Sequence, residues 1–199
     1  MIMQFISGLA FLRKQALQVS VLVLTFLLMQ GCTSAPTSLN YYLLHSTNSM
    51  PLMHSAAQKV IILDKITLPE YLKQRGLVYQ TSDTNLHIST RHLWAEPVEE
   101  GVTKVLTSAL ADKKVSLNRG DQYLNEESTH LSLHIEDFIS TYEGDVVFSG
   151  QYTISSTANG TSFHPFKFKA TIENDGFSSS IKAMRNAITQ LALHVDQSL

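Results

Sequence analysis

Eight histidines, seventeen aspartates and glutamates and one cysteine are the side chains from which this 199-residue chain could build a reactive or metal-binding site. His130 and His134 stand four apart, the spacing that would stack two imidazoles on one face of a helix. The residues around them alternate instead, with Leu131, Leu133 and Ile135 on one face, which is the signature of a strand. Four residues of strand span about 13 Å, too far for two ligands of one zinc ion. His134 and Glu136 come within about 7 Å on the same reading but lack a third ligand. His87 and His92 straddle the end of another expected strand. The carboxylate pairs Glu99-Glu100, Glu126-Glu127 and Glu136-Asp137 are sequence neighbours. Neighbours face apart on a strand and diverge by about 100° on a helix, so adjacency alone makes no acid–base pair. The nine glycines never stand two or five apart, which excludes GxGxxG and Walker loops, and neither GxSxG nor HExxH occurs. No catalytic, cofactor or metal residue is expected, and the chain reads as a non-enzyme. An envelope hydrolase would need converging Ser, His and carboxylate groups that the linear pattern does not offer.

The single thiol reads differently. Arg13 and Lys14 are the only charges in the first 31 residues, and the apolar run Ala16 to Met29 follows them. That run is 14 residues long, short of the roughly 20 a helix needs to span a bilayer. A basic start, a short apolar stretch and a small residue at the exit form a secretory signal. The exit Leu28-Met29-Gln30-Gly31-Cys32 resembles a bacterial lipobox, with cleavage between Gly31 and Cys32 and the lipid anchor on Cys32. A thioether to diacylglycerol survives where an ester would hydrolyse, and a small residue before the thiol lets the peptidase approach. Cys32 would carry S-diacylglycerol and an N-acyl chain, palmitate being a typical acyl group. A buried helix with an incidental cysteine, or an uncleaved signal anchor, is the other reading of this segment. Thr33 stands where lipoproteins retained at the inner membrane typically carry Asp, which favours the periplasmic face of the outer membrane.

The expected organisation is a signal peptide over 1–31, a lipidated tether over 32–40 and one domain over 41–199. Without residues 1–31 the chain keeps 13 lysines and arginines against 17 acidic residues, a net charge of −4. No basic run exceeds two residues, so a nucleic-acid partner is excluded for want of clustered cations. Extended, the tether from Cys32 to Asn40 reaches roughly 25–30 Å.

Within the domain, Tyr41–His45 and Lys59–Leu68 read as strands, the second apolar enough to be covered on both faces. Leu77–Thr81 and Leu86–Thr90 flank Ser82-Asp83-Thr84-Asn85 as a hairpin. Pro97 opens a helix whose stripe is Val98, Val102, Val105, Leu106, Ala109 and Leu110, with Lys113 and Lys114 at its end. Strands follow over His130–Phe138, Val146–Ile154 and Phe163–Ile172. A last helix carries Ile181, Met184, Ile188, Leu191 and Val195 after Gly176, with Ser178 or Ser179 as its cap. That stripe is a core face or, less commonly, a partner surface. Trp94 either packs against Val98 or stands out as a docking anchor. The fold class is α/β: one layered domain, a mixed sheet packed with helices.

Ile66-Thr67-Leu68-Pro69-Glu70-Tyr71-Leu72, Leu77-Val78-Tyr79 and Arg91-His92-Leu93-Trp94-Ala95-Glu96-Pro97-Val98 resemble the ABC-type transport auxiliary lipoproteins of the PqiC (YmbA) kind. Tyr41-Tyr42-Leu43-Leu44 resembles that family's opening strand. Lys73-Gln74-Arg75-Gly76 departs from it, where the family commonly shows an Arg-Pro turn. The resemblance is specific over about 41–111 and holds at the level of pattern over 130–199. It implies an outer-membrane lipoprotein that tethers and docks an MCE-domain tunnel protein in a system moving lipid between two membranes, and it allows assembly into a homo-oligomeric ring. Leu68, Pro69, Tyr71 and Trp94 are the contact candidates. The alternative is a lipoprotein that holds a lipid or small hydrophobic ligand in an apolar cavity of its own.

Overall fold

Alternation in the strands and three-to-four spacing in the helices give each element one apolar face, and the fold buries those faces together. A computed structural model describes residues 38–46, 58–120 and 128–199, together with Ser20. The signal and anchor residues, Gly31 and Cys32 among them, lie outside the described residues. The elements are β1 (Asn40–Tyr42), β2 (Lys59–Thr67), a 3-10 turn (Glu70–Lys73), β3 (Gly76–Gln80), β4 (Leu86–Trp94) and α1 (Val98–Ala111). Then come β5 (Val115–Arg119), β6 (Thr129–Ser140), β7 (Asp145–Ser156), β8 (Gly160–Thr171) and α2 (Phe177–Ser198).

The eight strands form one mixed sheet in the order β1-β4-β3-β6-β2-β5, with β7 and then β8 added on the other edge of β6. β2 lies between parallel neighbours β5 and β6, and its Ile61, Ile62 and Leu63 are all buried, as expected for a strand covered on both faces. β6, β7 and β8 form an antiparallel meander. Its alternation is clean: Phe166 and Ala170 of β8 are buried while Phe163, Lys167 and Lys169 are exposed. The two helices pack on each other, α1 against β5 and α2 across β6, β7 and β8. Leu106 and Leu110 of α1, Ile188 and Leu191 of α2 and Phe138 and Phe148 of the sheet join in one core. The expected stripe of the last helix, Ile181 to Val195, is thus a core face.

Several expectations change. β1 ends at Tyr42 rather than His45, because the chain turns inward and Leu44 enters the core at 1 % exposure. β4 runs on to Trp94, so His87 and His92 both lie within one strand. β5 was not expected. It is five residues long, and its only buried side chains are Val115 and Leu117, too short a signal to stand out. Lys113 and Lys114 fall past the end of α1, and Lys114 takes the turn to β5 with φ 63°. α2 is capped by Gly176, with Ser178 and Ser179 inside its first turn.

Candidate docking surface

The chain enters the domain through β1, and several contacts fix that entry. Tyr41 and Tyr42 pair with Leu93 and Trp94 of β4, and the Ala95 amide donates to the Tyr42 carbonyl at 2.9 Å. Leu44 then seats against α1 at Gly101, where a Cβ would lie 2.7 Å from the Leu44 Cβ. Arg185 Nε of α2 donates to the Leu44 carbonyl at 2.6 Å. Glu96 holds His45 Nδ1 at 2.9 Å through Oε1 and the Lys104 ammonium through Oε2. Both sheet and helices thus grip the segment that would take the load of an anchor.

Beside this root lies a cluster of rings that only the tertiary fold assembles. Phe177, the first residue of α2, stacks on His92 with centroids 4.2 Å apart and lies 5.9 Å from Tyr42 and 5.8 Å from Tyr79. His87 adds a contact to Tyr79 at 5.1 Å, and Tyr42 Oη meets His92 Nδ1 at 2.9 Å. Phe177 and Tyr79 also line a groove of about 460 Å³ between the β3 and β6 ends and the start of α2. Trp94, Ile181 and Met184 supply apolar lining, and Ser140 and Asp175 supply polar groups. The sequence offers Trp94 here as a contact candidate but does not group Phe177, His92 and Tyr79, because they come from three elements distant in sequence.

The contact candidates sort by burial. Trp94, 5 % exposed, and Leu68, 8 % exposed, belong to the core. Trp94 shares that core with Val98, the packing alternative expected for it. Pro69 and Tyr71 are half-buried on the turn after β2. Tyr71 Oη accepts the Phe138 amide at 3.2 Å. Burial first, with the Asp137 charge nearby, pushes the Tyr71 phenol up from 10.0 to about 12 against the opposite pull of that amide. Because the folded chain holds this proton more tightly than the unfolded one, its contribution is complete below pH 10 and is lost as pH rises toward 12. Urea unfolding across that window should show falling stability, with a shallower fall in Tyr71→Phe. Tyr152, also raised by burial, keeps part of the slope.

The candidate histidines and carboxylates find separate partners, and Glu126 and Glu127 lie outside the described residues. His130 Nδ1 meets Asp64 Oδ1 at 2.8 Å, while His134 and Glu136 are exposed on β6. Asp137 accepts a hydrogen bond from Ser149, and Glu100 pairs with Arg119. Among the described residues no three His, Cys, Asp or Glu side chains are grouped to hold a metal ion, and no helix is long and apolar enough to cross a membrane.

The model of the family described as the ABC-type transport auxiliary lipoprotein component matches residues 41–195, which is nearly the whole folded body. The chain belongs to this family. Among curated relatives of this transport auxiliary lipoprotein, the intermembrane transport lipoprotein PqiC of Escherichia coli strain K12 is 25% identical over 178 residues. That match covers 86% of this chain and 91% of the relative. PqiC of Shigella flexneri matches equally. A crystal structure of an uncharacterized protein superposes with a TM-score of 0.68 at 24% identity, over 81% of this chain and 98% of the other. One from Xanthomonas campestris gives 0.57 at 12% identity, over 69% and 80%. These two structures share the fold.

Proposed function

We propose that this auxiliary lipoprotein is held at the periplasmic face of the outer membrane by acyl chains on Cys32 and docks an MCE-domain tunnel protein, without making or breaking bonds. The observation that carries this reading is the family match, which spans the gripped β1 root and the body together and lies directly behind a lipobox-like exit at Gly31-Cys32. Relatives named for intermembrane transport support it, as does the absence of any reactive motif in the sequence. The partner would meet the half-exposed Pro69 and Tyr71 or the ring-lined groove at Phe177, and the body would stand within the tether's reach of the leaflet. A homo-oligomeric ring around the tunnel mouth is compatible with this role.

Affinity purification of the full, lipidated chain from detergent-solubilised envelopes should bring an MCE-domain protein with it. Its consistent absence after mild cross-linking would remove the docking role. The groove of about 460 Å³ favours a second reading, in which the body itself carries a hydrophobic ligand. Native mass spectrometry of the same sample decides between them. Bound lipid on the isolated lipoprotein supports the second reading, and bare protein in complex with the tunnel partner supports the first.

A further inference from the structure

The sheet face turned away from the aromatic groove carries apolar side chains that the fold leaves in the open. Tyr41 pairs with Leu93, Leu93 with Gly76, Val78 with Ile88 and Gln80 with Leu86, so Tyr41, Ile88 and Leu86 share one face of β1, β4 and β3. They are 51 %, 45 % and 46 % exposed. The Arg75 guanidinium lies 5.3 Å from the centre of the Tyr41 ring, placing a cation on the same face. Arg91 is exposed farther along β4, and Leu39, just before β1, is 48 % exposed.

Strand direction decides which way the preceding chain leads. β1 runs parallel to β4 and pairs only with His92, Leu93 and Trp94. Traced backward, the chain leaves β1 toward the Leu86 end of β4. Among the described residues, no strand pairs with the Leu86–Arg91 stretch on that side. The six residue steps from Cys32 to Ser38 extend to at most roughly 20 Å, about the length that the Leu86–Arg91 stretch runs beyond β1. An acylated Cys32 therefore keeps the β3–β4 hairpin within roughly 20 Å of the leaflet.

We infer that the face bearing Tyr41, Leu86 and Ile88 rests on the phospholipid surface itself, with Arg75 and Arg91 toward the phosphates. The inference rests on lipidation of Cys32. Tyrosine and arginine suit such a boundary because each has an apolar body and a polar end. Two aliphatic side chains bind a bilayer weakly, but a short tether makes the second contact intramolecular, so weak contacts become occupied. The groove at Phe177 lies on the opposite, helix-bearing face and stays open to a protein partner.

The test uses the full mature lipidated chain in vesicles of phosphatidylethanolamine and phosphatidylglycerol that carry a nitroxide lipid labelled near the headgroup. Because the thioether blocks Cys32, the chain's only cysteine, a single introduced thiol takes an environment-sensitive dye. Leu86→Cys and Ile88→Cys are read against Phe163→Cys on β8, where the native side chain is 70 % exposed. The dyes at 86 and 88 should be quenched several-fold more than the dye at 163 and should emit at shorter wavelength. Equal quenching at all three sites in acylated protein overturns this inference alone. So does shielding at 86 and 88 that appears only when a partner protein is added. A bare Cys32 thiol in the mass spectrum overturns both the inference and the anchoring on which it rests.

Discussion

Gly150→Ala should lower the stability of the folded body by about 3 kcal/mol or more. Gly150 pairs with Ile135 of β6 while its neighbour Ser149 pairs with Asp137, so Glu136 is an extra residue bulged out of the ladder. The bulge brings the two strands unusually close. A Cβ built on Gly150 would lie 2.1 Å from the His134 carbonyl oxygen, and the backbone there has φ 155°. Two penalties add, since the new methyl must displace main chain rather than a yielding side chain, and an L-residue is strained at this φ. The strands cannot part cheaply, because Phe138 and Phe148, with ring centres 4.6 Å apart, lie within a few residues of the bulge in the core. Urea unfolding should show a much lower midpoint with an unchanged slope, the mark of lost stability rather than a changed unfolded state. Gly160→Ala is the matched control. That glycine has φ 74° at the start of β8, just after the turn from β7, but nothing lies within 4 Å of its added methyl. It pays only the conformational penalty, about 1 kcal/mol. Equal midpoint shifts in the two variants would show that the bulge relaxes and that contact with His134 is not what requires glycine.

How much of this could be read from the sequence follows the range of the interactions involved. Helix α1 was legible because Pro97, Glu99 and its apolar stripe all act within one turn of one another. The β3–β4 hairpin was legible for the same reason, its polar turn falling between two apolar strands. The end of β1 was not, since nothing local stops Leu43-Leu44-His45 from continuing as strand. What stops it is the small Gly101 of α1, which admits Leu44 into the core. The bulge at Glu136 was hidden too, because alternation through Leu131, Leu133 and Ile135 gives no warning that the period slips one residue later.

The candidate site divides along the same line. Pro69 and Tyr71 enter as contact candidates through the segment that resembles the family, and the structure leaves them half-exposed. Trp94 was flagged as well, yet a lone tryptophan has two common fates, and here the core takes it. The Phe177 cluster draws on β1, β3, β4 and α2. No spacing rule joins residue 42 to residue 177; only the sheet order does. The family resemblance reaches residues 130–199 only as an order of strands and a final helix, and it does not single out Phe177.

Cys32→Ala should have the largest effect on where the protein resides. In the wild type, the mature chain should begin at Cys32, be heavier than residues 32–199 alone by its acyl groups, and sediment with the outer membrane. The anchoring force is apolar: each buried methylene contributes about 0.8 kcal/mol, and a single chain holds only marginally where two or more hold stably. Without the thiol there is no thioether, and the peptidase that cuts before a lipidated cysteine has no substrate. The variant should therefore accumulate as a precursor that keeps residues 1–31, still associated with the inner membrane through the apolar run from Ala16 to Met29. Replacing residues 1–31 of the same variant with an ordinary cleavable leader separates loss of the anchor from failure of cleavage. That chain should enter the periplasm, fold, and appear in the soluble fraction, since the residues of the main core all lie between Leu44 and Val195. Its supply to the membrane would then depend on diffusion instead of a tether of roughly 25–30 Å, and the intermembrane transport that relies on it should fall to the level of a deletion. Wild-type protein found soluble, with a free Cys32 sulfhydryl and full transport, would overturn the anchoring role.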